Sequence, residues 1–93
     1  MNEAQLTQKL TDLFRAAGAA HHQAYLHTDG ADPEWPLWYA GYLRQPLGDL
    51  LDTEFTQSEL TYLLVLAEKT RQEAEPDSPW AEYYARFFVE RAA

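Results

Sequence analysis

Two strings of aromatic residues with the same internal spacing constrain this chain more than anything else in it. Trp35, Trp38, Tyr39, Ala40, Tyr42 and Leu43 recur, forty-five positions on, as Trp80, Tyr83, Tyr84, Ala85, Phe87 and Phe88. Steps of three and four place each string along one side of a helix, where large rings are buried against a partner. A second string behaves alike: Leu10-Thr11-Asp12-Leu13-Phe14 with Ala17 matches Leu60-Thr61-Tyr62-Leu63-Leu64 with Ala67, fifty positions on. Self-similar units bury each other's apolar faces. The pattern therefore predicts two related helical hairpins, residues 1–45 and 55–93, packed into one four-helix domain. The change of offset from fifty to forty-five makes the first linker five residues longer. The additional loop is Thr28-Asp29-Gly30-Ala31, and such loops are where function tends to be carried.

The remaining punctuation supports an all-α fold. Leu6, Leu10, Leu13, Phe14, Ala17, His21, Ala24 and Tyr25 form one face of a first helix over 3–27, ended by Gly30. Asp32-Pro33-Glu34 is a helix-start signal and predicts a second helix over 33–44, closed by Pro46. Leu47, Leu50 and Leu51 then suggest a short extra turn. Thr56-Gln57-Ser58-Glu59 has the form of a capping box and opens a third helix over 57–74. Apolar on most sides, that helix is expected to be the most buried. Ser78-Pro79 opens the fourth. No segment alternates with period two for long enough to argue a strand.

Composition bounds the rest. Ninety-three residues allow one domain, and 46% hydrophobic with 14% aromatic content gives it an adequate core. With no cysteine, disulfides and thiolate chemistry are excluded and a reducing cytoplasm is expected. The first residues carry no leader pattern, and the longest unbroken apolar run, Tyr62 to Ala67, is far short of a membrane span. A net charge of −8 repels phosphate backbones and anionic lipid. No nucleic acid and no membrane are therefore expected as partners. The same charge keeps a small domain soluble and leaves a basic protein partner open.

The candidate site residues are His21, His22, Asp29, Asp32, Glu34 and Tyr39. His21 and His22 are adjacent, so on a helix they point about 100° apart and cannot chelate one ion together. His21 falls on the apolar face, which leaves two readings. It is a hydrogen-bonded core histidine, or it faces Asp29, Asp32 or Glu34 from the loop and helps hold a divalent metal or acts as a base. The three acids do not have the spacing of a calcium loop, and capping and turn formation also explain them. The aromatic stripes read first as core. As the walls of a pocket they would suit a flat ligand such as a quinone, pigment or nucleobase. Tyr39 and Tyr84 stand at equivalent positions and need partners for their hydroxyls. No catalytic motif is present, so no catalytic residue is assigned and an enzyme is not expected.

The string Ala20-His21-His22-Gln23-Ala24-Tyr25, followed by Thr28-Asp29-Gly30 and Asp32-Pro33-Glu34-Trp35-Pro36-Leu37-Trp38-Tyr39-Ala40, resembles a group of small uncharacterised bacterial all-helical proteins. Ser78-Pro79-Trp80 with Tyr83-Tyr84-Ala85 and Phe87-Phe88 fits the same group. The resemblance implies a bacterial cytosolic origin and brings no activity with it. Two functional expectations follow from the residues. The first is a non-enzymatic binding or regulatory module acting through protein–protein contacts, self-association being its simplest form. The alternative is a small-molecule or divalent-metal site built from His21, His22 and the Asp29–Glu34 loop. Mimicry of nucleic acid would need a linear stripe of acids, whereas these scatter through loops and helix ends.

Overall fold

A computed structural model describes residues 1–92, as four α-helices. They are α1 (Glu3–Ala24), α2 (Trp35–Leu51), α3 (Gln57–Ala74) and α4 (Trp80–Ala92), with a 3-10 turn at Leu26–Thr28 after α1. No strand occurs among the described residues. Both α1 and α3 begin with a capping box. The Asn2 side chain accepts from the Gln5 amide at 2.8 Å while the Gln5 side chain accepts from the Asn2 amide at 3.1 Å. Thr56 and Glu59 exchange the same two bonds at 3.0 and 3.1 Å. Each box satisfies end-of-helix amides that would otherwise lack partners.

Helix α1 packs on α4 and α2, and α3 packs on α2 and α4. Exchanging the two hairpins leaves this set of neighbours unchanged. Burial follows the same correspondence. Leu10 and Leu60, Phe14 and Leu64, Ala17 and Ala67, and Ala40 and Ala85 are all fully buried, as are Leu43 and, within 2%, its counterpart Phe88. Phe14 anchors the centre, edge-on to Tyr84 at 5.7 Å and to Trp80 at 6.2 Å, and tilted against Phe88 at 5.8 Å. Gly18 is needed where α1 meets α4, because a Cβ there would stand 2.9 Å from the Trp80 indole.

Three details differ from the sequence reading. Helix α2 does not close at Pro46 but runs on to Leu51, absorbing the expected extra turn. An interior proline costs about 3 kcal/mol. Leu43 and Leu47, fully buried on either side of it, each stabilise by about 1.5–3 kcal/mol, enough to offset that cost. Second, α3 is not the most buried helix: Tyr62 is 63% and Val65 46% exposed. Each helix has two main neighbours, so even α3 keeps an outer side. Third, α2 begins at Trp35 rather than Pro33, with no side-chain cap at Glu34. The Asp32 carboxylate is used elsewhere.

Candidate functional site

In the last turns of α1, the fold carries His21 inward until its side chain is only 9% exposed. Its Nε2 lies 3.1 Å from the Asp32 Oδ2, and that carboxylate is equally enclosed, at 7%. The other oxygen, Oδ1, accepts the Glu34 amide at 3.0 Å, forming a turn that leads the chain into α2. Aromatic rings hold the imidazole in place. Tyr25 and Tyr39 stack on it at 4.7 and 5.0 Å, and Trp38 meets it edge-on at 5.0 Å. Burial, together with the Asp32 charge, pushes the Tyr25 and Tyr39 hydroxyls above the usual tyrosine range.

Fifty positions after His21 stands Arg71, on α3. Its Nε and one terminal nitrogen donate to the two oxygens of Glu68 at 2.9 and 2.8 Å. The other terminal nitrogen donates to the carbonyls of Pro76 and Ser78 at 3.0 and 3.2 Å, tying α3 to the linker that leads into α4. Glu68 also accepts from Gln72 at 2.7 Å and from the buried Tyr84 hydroxyl at 2.8 Å. The Arg71 bonds hold the Glu68 carboxyl below the usual carboxylate range despite partial burial. Tyr84 is displaced strongly upward, first by burial and then by Glu68. Thus His21 and Arg71 do corresponding work, each fastening its hairpin's linker. One does so through a side chain, the other through backbone carbonyls.

Between these two corners lies a cavity of about 420 Å³, within the range of small-ligand sites. The first hairpin lines it with His21, Gly30, Asp32, Trp35 and Tyr39; the second with Glu68, Arg71, Gln72, Trp80 and Tyr84. His21 and Arg71, Trp35 and Trp80, and Tyr39 and Tyr84 are corresponding pairs, so the cavity sits where the two similar halves face one another. Volume alone does not single it out. A hollow of about 460 Å³ between the start of α1 and the end of α4 is lined by Glu3, Thr7, Gln8, Arg86 and Glu90 among others, with no aromatic ring.

Of the residues expected from sequence, the structure brings His21, Asp32 and Tyr39 together at this cavity. His22 is exposed, its Nδ1 near Gly30, and lies outside the lining. Asp29 is exposed in a left-handed turn, φ 56°, closing the 3-10 segment. Glu34 is exposed at the start of α2. Among the described residues, no three His, Cys, Asp or Glu side chains stand where they could hold one metal ion. Arg71, Glu68, Gln72 and Tyr84 were missed as site residues. The signal for two of them was present: shifting His21 by fifty positions and Tyr39 by forty-five gives Arg71 and Tyr84.

Both Asp32 oxygens and both Glu68 oxygens already accept bonds from the protein, and the lining holds no Ser, Thr, Cys or Lys. No protein family, curated protein or solved structure matched the chain.

Proposed function

We propose that this chain is a non-enzymatic binding module whose ligand is a small molecule held between its two hairpins. The observation that supports this reading is the cavity of about 420 Å³, walled by corresponding aromatic residues from each half and bounded by two polar corners, His21–Asp32 and Arg71–Glu68. A site assembled in this way is preorganised, since its charged groups are fixed before any ligand arrives. A divalent-metal version has less behind it, because only the single pair His21–Asp32 converges. No helix among the described residues is long and apolar enough to cross a membrane, and with no cysteine in the chain a reducing cytoplasm suits it.

The test is a melting-temperature screen against small metabolites of differing charge and ring content, with zinc, manganese and calcium included. Gln72 is exposed and lines the cavity, so Gln72→Trp fills the space without removing a core group. At least one class is expected to raise the melting temperature by several degrees in the native chain, by mass action, and not in the variant. A screen with no such class, or one whose shifts survive Gln72→Trp, overturns the reading.

A second reading is favoured by a different surface. Leu37 and Tyr42 on α2, and Tyr62 and Val65 on α3, are exposed by 41–63%, whereas the large apolar side chains of α1 and α4 are buried or half-buried. Exposed apolar side chains of this kind suit docking to another protein, self-association being the simplest form. Light scattering during gel filtration tests that form. A dimer is expected, and a strict monomer at high concentration removes it.

A further inference from the structure

We infer that the cavity between the hairpins takes an organic cation of the quaternary-ammonium class; this rests on the small-molecule reading above. Four rings line the cavity in succession, each nearly perpendicular to the next. Trp35 meets Tyr39 at 78°, Tyr39 meets Trp80 at 75°, and Trp80 meets Tyr84 at 75°. The planes of successive lining rings therefore lie crosswise to one another. The negative face of an aromatic ring attracts a cation, tryptophan most strongly, and boxes of such rings suit methylated ammonium groups.

The polar groups narrow the class further. Arg71 pairs with Glu68, whereas the other carboxylate of the lining, Asp32, stands against an imidazole and has no lysine or arginine beside it. An anion finds little here. Arg71 has already committed four of its five N–H donors, two to Glu68 and one each to Pro76 and Ser78. A primary amine has little to bond here, since each Glu68 oxygen already accepts two bonds and each Asp32 oxygen is engaged once from within the protein. A quaternary ammonium has no N–H to satisfy. It needs a field and apolar walls, and those are what the cavity supplies. The net charge of −8 draws cations toward the molecule from a distance.

The experiment uses choline and its neutral isostere 3,3-dimethylbutan-1-ol, followed by tryptophan fluorescence on the full chain. Two variants accompany it. Asp32→Asn keeps both turn and imidazole contacts sterically possible, and Trp35→Leu removes one wall at a partly buried position. Choline is expected to bind at least tenfold more tightly than the isostere, and each folded variant to lose about tenfold in choline affinity. If Trp35→Leu fails to fold, Asp32→Asn alone carries the test. Equal binding of the two ligands overturns the proposal, since the cavity would then be selecting shape only. Choline affinity unchanged in Asp32→Asn also overturns it, placing the cation elsewhere on the acidic surface. Should choline fail while another class shows stabilisation sensitive to Gln72→Trp, the cation falls and the small-molecule site stands. Failure of every class removes both.

Discussion

The two hairpins share an interior and differ at their edges. Inside, Leu10, Phe14, Ala17, Trp35, Tyr39 and Ala40 correspond to Leu60, Leu64, Ala67, Trp80, Tyr84 and Ala85, with matching burial except that Tyr84 is buried where Tyr39 is half-buried. On the outside, the exposed Arg15–Glu82 pair joins α1 to α4 at 2.8 Å. The corresponding positions on α3 and α2, Val65 and Leu37, are apolar and about half exposed. At the cavity, one corner is a histidine on an aspartate and the other an arginine on a glutamate. The comparison separates two demands on a helix. Packing fixes the inner residues by volume, while the outer face and the cavity corners are free to carry different chemistry on one scaffold.

Breaking the corners should show their inequality first. Arg71→Ala strips Glu68 of its cation in a setting where both side chains are no more than 20% exposed, and frees the linker carbonyls of Pro76 and Ser78. Urea denaturation should report a loss of about 3 kcal/mol. His21→Ala, which undoes a single polar contact and three ring contacts, should cost less, about 2 kcal/mol. A larger loss for His21 would reverse the ranking of the two corners.

The inner face is tested by Gly18→Ala. Alanine favours a helix over glycine by about 1 kcal/mol, yet its Cβ would meet the Trp80 ring at 2.9 Å. Overpacking costs typically 1–3 kcal/mol, so a net loss of about 1 kcal/mol is expected in thermal unfolding. A gain in stability would show that Trp80 is not pinned against α1.

Acid sharpens the comparison. Glu68 is held below the usual carboxylate range, chiefly by hydrogen bonds from Arg71. Its contribution is therefore present above the unfolded value, near 4.5, and is lost as pH falls from there through the lower folded value. A Glu68→Gln chain should lack that part of the acid loss in a stability-against-pH series. Tyr84→Phe, which removes one donor from Glu68, should soften it and cost about 1 kcal/mol near neutrality. The smallest effect belongs to the outer face. Arg15→Ala, with both partners about half exposed, should change stability by no more than about 0.5 kcal/mol.

Much of the fold was legible because helix periodicity and caps are local signals. The Thr56–Glu59 box, the start of α3 at Gln57 and the pairing of the aromatic strings could all be read from neighbouring residues. Pro46 misled because its cost is local while the burial of Leu43 and Leu47 that offsets it is tertiary. The site was legible only in part. His21, Asp32 and Tyr39 stood out as a histidine on an apolar face, an acid in a loop and a tyrosine in a stripe. Arg71 and Glu68 looked like an ordinary surface pair three residues apart, and only the fold encloses them. The exposure of apolar side chains on α3 was hidden for the opposite reason, since Tyr62 and Val65 belong to a run that reads as buried.

The proposed ligand would sit between the halves, and the three indole N–H signals report on that directly. Trp35 and Trp80 line the cavity, while Trp38 packs on His21 and Tyr42 outside the lining. In a nitrogen–proton correlation spectrum titrated with choline, the Trp35 and Trp80 signals should move together and saturate, with Trp38 moving much less. Movement of Trp38 alone, or of only one cavity tryptophan, would contradict a site shared by the two hairpins.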